Sequence, residues 1–196
     1  MIDSPRTPFV YVIDDEAGSR LLARTVLESQ GFRVAEAADG RTALSCLEEL
    51  EPDLILLDVM MPGVDGFEVC ARLRERSETR NVPVLMLTGL DDVASINRAY
   101  DLGATDFAVK PIQWALLGHR IRYLLRSART LDALRVSEAR LANAQRIARL
   151  GHWSKDIAAG TLEWSATTHA IFGTRPEEFI PDQEALLGFV HPDDRA

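Results

Sequence analysis

Five short apolar runs recur through residues 1–112: Phe9-Val10-Tyr11-Val12-Ile13, Arg33-Val34-Ala35, Leu54-Ile55-Leu56-Leu57, Val84-Leu85-Met86-Leu87 and Phe107-Ala108-Val109. They are continuous rather than alternating, which predicts strands buried on both faces of a parallel sheet. Between them, apolar or small residues fall at helical spacing, as in Leu21, Leu22, Thr25, Val26 and Ser29. The same spacing holds for Ala43, Leu44, Leu47 and Leu50, and again for Val69, Cys70, Leu73 and Arg76. Gly31, Gly40, Gly63, Gly66 and Gly103 punctuate the joins. Strands that alternate with helices need right-handed crossovers. The pattern therefore predicts an α/β fold with a doubly wound, five-stranded parallel sheet.

Residues 113–150 differ: they hold no proline, and Gly118 is their one glycine. Apolar residues keep a heptad at Leu117, Ile121, Leu124, Ala128 and Leu131, then resume out of phase at Leu134, Ser137, Leu141, Ala144 and Ala148. This predicts a helix of about 55 Å at 1.5 Å per residue. The narrow, interrupted seam fits a two-stranded coiled coil, hence a homodimer through residues 113–150. The competing expectation is a helix folded back on its own domain. From Gly151 onward, His152–Ile157 and Thr161–Ser165 read as two strands around an Ala158-Ala159-Gly160 turn. Short helical stretches follow at Ala170–Phe172 and Glu184–Leu187. Trp153 and Trp164 are expected to pack across the hairpin, and His152 and His169 to be half-exposed.

Composition changes this picture little. Of the 196 residues, 46% are hydrophobic and 27% charged, an ordinary globular balance for one or two domains. No run nears the ~18 apolar residues of a membrane helix, and Met1–Pro5 lacks a signal-peptide layout. The expectation is a cytoplasmic chain with no membrane partner. Cys46 and Cys70 are expected to be reduced thiols. Charge changes the picture more. Residues 1–112 carry −9, residues 113–150 carry +6 from eight arginines and two acids, and residues 151–196 carry −5. Such steps mark module boundaries.

The chemistry lies at the ends of the apolar runs. Asp14-Asp15 follow the first and Asp58 the third; Thr88 closes the fourth and Lys110 the fifth. In an open parallel sheet the strand C-termini share one edge, so these residues converge there. Singly, each has a plainer role: a helix cap for Asp14-Asp15, a turn hydroxyl for Thr88, a surface charge for Lys110. Together they form a chemical set. Clustered carboxylates repel unless a cation joins them, and Mg²⁺ (or Mn²⁺) takes a few carboxylate oxygens plus waters. A carboxylate can act as a nucleophile and form an acyl phosphate. An ammonium and a hydroxyl neutralise the transferred oxygens, while Gly89 leaves room beside them.

The stretch from Phe9 to about Leu125 resembles the receiver (response-regulator) family. The resemblance rests on Val12-Ile13-Asp14-Asp15-Glu16, Leu57-Asp58-Val59-Met60-Met61-Pro62-Gly63-Val64-Asp65-Gly66, Leu87-Thr88-Gly89 and Val109-Lys110-Pro111. It implies a flavodoxin-like receiver over 1–125 that takes a phosphoryl group on Asp58 from a histidine kinase or phosphotransfer protein. It places Asp15, Asp58 and the Met60 carbonyl on the metal, with Asp14 acting through water. Thr88 and Lys110 would contact the phosphoryl group, and Phe107 would be the aromatic that changes rotamer, although a core phenylalanine is an equally simple reading. The resemblance also implies a cis Lys110-Pro111 bond. No enzymatic turnover beyond self-phosphorylation and dephosphorylation is expected. An aspartyl phosphatase would carry a second Asp two residues past Asp58, where Met60 stands.

Residues from about Gln145 resemble the start of a PAS domain, carried by Leu150-Gly151-His152-Trp153, Asp156, Trp164-Ser165, Ile171-Phe172-Gly173 and Phe189–Arg195. This implies a partial α+β segment over 151–196, cut inside a longer protein. Within it, His191-Pro192-Asp193-Asp194 reads as a turn into a helix rather than a metal site. The arginines of 113–150, including Arg122, Arg126, Arg129, Arg140 and Arg149, are the one feature favouring DNA. No base-reading cluster or helix-turn-helix accompanies them, so a nucleic-acid partner is not expected.

Overall fold

The computed structural model describes residues 6–89, 93–191 and 193. It divides into two compact units, Met1–Leu131 and Asp132–Ala196. In the first, strands β1 (Phe9–Ile13), β2 (Arg33–Ala37), β3 (Leu54–Asp58), β4 (Val84–Thr88) and β5 (Asp106–Val109) form one parallel sheet in the order β2-β1-β3-β4-β5. Helices α1 (Ala17–Ser29), α2 (Gly40–Cys46), α3 (Gly66–Glu75), α4 (Val93–Asp101) and α5 (Trp114–Ala148) follow the strands in turn.

Continuous apolar runs suit this sheet because both faces are covered. Successive strand residues point to opposite faces. Tyr11, Ile13, Ile55, Leu57 and Met86 pack with Leu44, Val69, Leu73 and Ala99 from α2, α3 and α4. Val10, Val12, Leu54, Leu56, Leu85 and Leu87 pack with Ala23, Leu27, Leu117, Ile121 and Leu124 from α1 and α5. Caps help set the helix starts: the Asp39 and Asp65 carboxylates accept the Thr42 and Glu68 N–H, both at 2.8 Å.

The helical spacing is met on α1, and the coiled-coil expectation for the first part of α5 needs correction. On α1 the buried residues are Ala23 and Leu27, whereas Leu21 and Leu22 are exposed. Ala23 and Leu27 stand four residues apart on one face and meet the sheet core, whereas Leu21 and Leu22 lie off that stripe. On α5, Leu117, Ile121 and Leu124 belong to the sheet core, so the first part of the long helix folds back on its own domain. Gly118 leaves room for the Gln30 side chain: a Cβ there would lie 1.4 Å from Oε1, a contact the glutamine would relieve by swinging aside. Arg122 adds a second tie, donating to the Gln30 carbonyl at 3.0 Å and stacking over Phe32 at 5.3 Å.

In the second unit, β6 (Trp153–Asp156) and β7 (Thr161–Trp164) pair antiparallel, followed by α6 (Ala166–Phe172) and α7 (Gln183–Gly188). The register sets Trp153 opposite Trp164, but the cross-strand packing expected of them is not what buries Trp164. Trp164 is buried by Phe172, Phe179, Phe189 and His169, with centroids 4.9–6.0 Å away, while Trp153 is exposed. His169 is likewise buried rather than half-exposed, its Nδ1 2.8 Å from the Thr174 hydroxyl. Directly opposed residues share a face of the hairpin, so the difference lies along the strands: the aromatic cluster of Phe172, Phe179 and Phe189 gathers over Trp164 and leaves Trp153 uncovered. His152 is exposed. Of the His191–Asp194 turn, Pro192 and Asp194 lie outside the described residues.

Candidate functional site

The order β2-β1-β3-β4-β5 reverses direction between β1 and β3, and the C-terminal ends of these strands flank a natural crevice. Asp14 leaves β1, Asp58 ends β3, Thr88 ends β4 and Lys110 follows β5. Sheet register does the gathering: Ile13 pairs with Leu57, Asp58 with Leu87 and Thr88 with Val109. The residues expected to converge therefore do so.

Asp14 and Asp58 are buried and Asp15 is exposed; one carboxylate oxygen from each lies within 4.8 Å of the others. Lys110 Nζ stands 3.0 Å from Asp58 Oδ1 and 3.4 Å from Asp14 Oδ2. The Lys110 ammonium is the close partner of the buried Asp58 Oδ1, which among the described residues has no other donor. Burial pushes the Asp58 carboxyl above its ordinary range; Lys110 pulls it down, and the Asp14 charge adds to the rise. Burial alone would lower the Lys110 pKa, but the Asp58 and Asp14 carboxylates outweigh it and hold the ammonium above its usual value.

Three carboxylates facing one ammonium leave an excess of two negative charges. Three carboxylate oxygens within 4.8 Å of one another, with that uncompensated charge, suit a hard divalent cation. The donor set thus fits Mg²⁺. Thr88 is buried, Gly89 is exposed with open space where a Cβ would point, and Met60 is exposed. Phe107 is half-buried and meets Tyr100 edge-on at 5.8 Å. The Lys110–Pro111 peptide is cis.

Two residues central to this geometry carried no site expectation. Arg20 donates to the carbonyls of Asp14 and Asp15 at 2.8 and 3.0 Å and pairs with Glu36 at 3.6 Å, pinning the acidic loop. Gly66 lets α3 start directly against the end of β3: a Cβ there would lie 2.2 Å from the Asp58 carbonyl oxygen. Arg20 resembles any surface arginine in sequence. Gly66 was visible as punctuation and as the last residue of the Leu57–Gly66 motif, but without a steric role.

Fold and site together define a flavodoxin-like α/β protein with an acidic site at its topological switch point. The chain belongs to the response regulator receiver domain family, which residues 10–122 match. It is 44% identical over 131 residues to the response regulator PleD of Caulobacter vibrioides, covering 66% of this chain and 29% of that protein. The chemotaxis protein CheY4 of Vibrio cholerae superposes with a TM-score of 0.58 at 31% identity, covering 60% of this chain and 98% of that one. The receiver domain of a sensor histidine kinase from Pseudomonas aeruginosa, solved with magnesium coordinated in its active-site cleft, gives 0.57 at 25% identity, covering 61% and 98%. Receiver domains are two-component signalling modules that interact with histidine kinases or phosphotransfer proteins. No helix among the described residues is long and apolar enough to cross a membrane.

Proposed function

We propose that this chain is a phospho-accepting switch in which Asp58 takes a phosphoryl group from a phosphohistidine of a histidine kinase or phosphotransfer protein. The observation that carries this is the buried Asp58 carboxylate at the end of β3, 3.0 Å from Lys110 and in one acidic cluster with Asp14 and Asp15. Asp15, Asp58 and the Met60 carbonyl would hold Mg²⁺ (or Mn²⁺), with Asp14 acting through water. When bound, the ion supplies charge neutralisation that lets an anionic phosphoryl group approach anionic carboxylates.

One Asp58 oxygen attacks phosphorus as the bond to the donor nitrogen breaks, and the electron pair leaves with the imidazole. The Lys110 ammonium and Thr88 hydroxyl meet the equatorial oxygens, and open space at Gly89 leaves room for them. Drawing Thr88 and Lys110 inward biases the β4 and β5 ends, with Phe107 as the side chain that responds. Incubation with Mg²⁺ and acetyl phosphate is expected to add one phosphoryl group by intact mass, and a chelator to prevent it. Failure of the wild-type chain to gain mass from acetyl phosphate or from a phosphohistidine protein would sink the assignment.

The bias passes along α5. Its distal half exposes Leu131, Leu134 and Leu141, an apolar seam that a second copy would cover as a coiled coil. Residues 151–191 would act as the receiving PAS-like segment, a reading supported by the hairpin and its aromatic cluster around Trp164. Sedimentation should show a dimer that Leu134→Asp/Leu141→Asp converts to monomer with the receiver still folded. A wild-type monomer at micromolar concentration would remove the seam's role.

A further inference from the structure

Beside the acidic cluster lies a cleft of about 600 Å³ whose walls include Asp15, Val59, Met60, Phe67, Ser95 and Arg98. It is continuous with the proposed acceptor site, because Asp15 belongs to the carboxylate triad and Val59 and Met60 directly follow Asp58. Among the described residues Arg98 is the one cation on these walls. Its guanidinium lies over the Phe67 ring, 4.3 Å from the centroid. Phe67 is buried in the first turn of α3, so the platform under the arginine is rigid. Stacking uses the face of the guanidinium and leaves its N–H edge free. Among the described residues Arg98 makes no ion pair with a carboxylate.

We propose that Arg98 is a specificity residue for the phosphoryl donor, receiving the carboxylate leaving group of acyl phosphates. The proposal rests on Asp58 being the phosphoryl acceptor. In-line attack by an Asp58 oxygen forms the new P–O bond while the donor's P–O(acyl) bond breaks. The bonding pair departs on the acyl oxygen, so a full negative charge develops on a planar carboxylate. No proton is needed for this departure. A fixed guanidinium edge in the adjoining cleft matches that carboxylate in charge and shape. With phosphoramidate the nitrogen already carries its protons and leaves as neutral ammonia. Arg98 has nothing to stabilise in that case.

General attraction of anions would slow both donors in Arg98→Ala, more for the more highly charged acetyl phosphate, and would be restored in full by the charge-conserving Arg98→Lys; leaving-group recognition spares phosphoramidate and is restored by lysine only in part. The test measures initial rates of phosphoryl uptake by the full chain with Mg²⁺, for wild type, Arg98→Ala and Arg98→Lys. Each protein receives acetyl phosphate and, separately, phosphoramidate. Arg98→Ala is expected to slow uptake from acetyl phosphate roughly tenfold, the scale of one hydrogen-bonded contact to a charged group, and to leave phosphoramidate within about twofold. Arg98→Lys keeps the charge but loses the planar fork, so it should recover only part of the acetyl phosphate rate. Equal loss with both donors, or no loss with either, overturns the proposal while leaving Asp58 as acceptor. Absence of uptake by wild type from both donors overturns it together with the reading on which it rests. Arg98 is exposed, so its variants test chemistry rather than folding.

Discussion

Asp58→Asn is expected to abolish phosphoryl uptake and, in metal-free buffer, to raise the melting temperature. The first effect follows from chemistry: an amide oxygen is not a competent nucleophile toward phosphorus, and loss of uptake should be complete by mass. The second follows from burial. Asp58 is 2% exposed and shares the site with buried Asp14. Desolvation drives its carboxyl upward and the Asp14 charge adds to this, with Lys110 opposing. A carboxyl whose pKa is higher folded than unfolded binds its proton more tightly in the native state. Its stabilising contribution is present below the unfolded pKa and is lost as pH rises through the folded value. At neutral pH the ionised group is therefore a net cost, which asparagine removes while keeping the shape. The gap between Asp58→Asn and wild type should widen as pH is raised from about 4 toward 7, starting from the ordinary carboxylate range. Mg²⁺ should stabilise wild type more than the variant, narrowing the gap. Thermal melts with chelator and with Mg²⁺ read both effects. A variant that still gained a phosphoryl group would mean that another residue accepts it.

Gly66→Ala is expected to damage fold and site together. The new Cβ would sit 2.2 Å from the Asp58 carbonyl oxygen, 2.7 Å from Val59 Cα and 2.9 Å from the Asp58 carbonyl carbon. All three are backbone atoms, so no side chain can rotate aside. The start of α3 or the end of β3 must move, at a cost of about 3 kcal/mol or more by analogy with overpacked cores. The Gly66 N–H donates to the Val59 carbonyl at 2.9 Å, so the shift also strains the bend that carries Met60. Denaturant midpoints should fall, and the variant's folded fraction should accept phosphoryl groups more slowly than wild type. Gly89→Ala is the control: among the described residues a Cβ there meets nothing within 4 Å, and stability should change by no more than about 0.5 kcal/mol. Equal tolerance of both substitutions would refute the steric account.

Much of the receiver was legible because its signals are local. A run such as Leu54–Leu57, short and set between helix-length segments, reads as a strand buried on both sides, and the Asp that follows it then lands at the sheet edge. The hairpin turn near Gly160 was similarly readable, since that residue takes a positive φ of 68°. Helix faces were less legible. Leu21 and Leu22 outrank Ala23 in hydrophobicity, yet the alanine is buried, because the distance between α1 and the sheet depends on side chains from several elements. The seam of α5 misled for the same reason: the heptad through Leu117, Ile121 and Leu124 has the same period whether its partner is a second helix or a sheet.

By itself, the sequence determined the α/β alternation, the five strands and the identities of Asp14, Asp15, Asp58, Thr88 and Lys110 as the residues that end or follow them. These depend on period and position along the chain, which short-range physics dictates. Tertiary structure alone decided that Arg20 pins the acidic loop, that Gly66 carries no side chain because Asp58's backbone lies against it, and that Arg98 rests on Phe67. It also decided that Trp164 turns toward Phe172 and Phe179 rather than Trp153. Each of these is a contact between segments whose separation is set by the packing of whole elements. No local pattern encodes that distance.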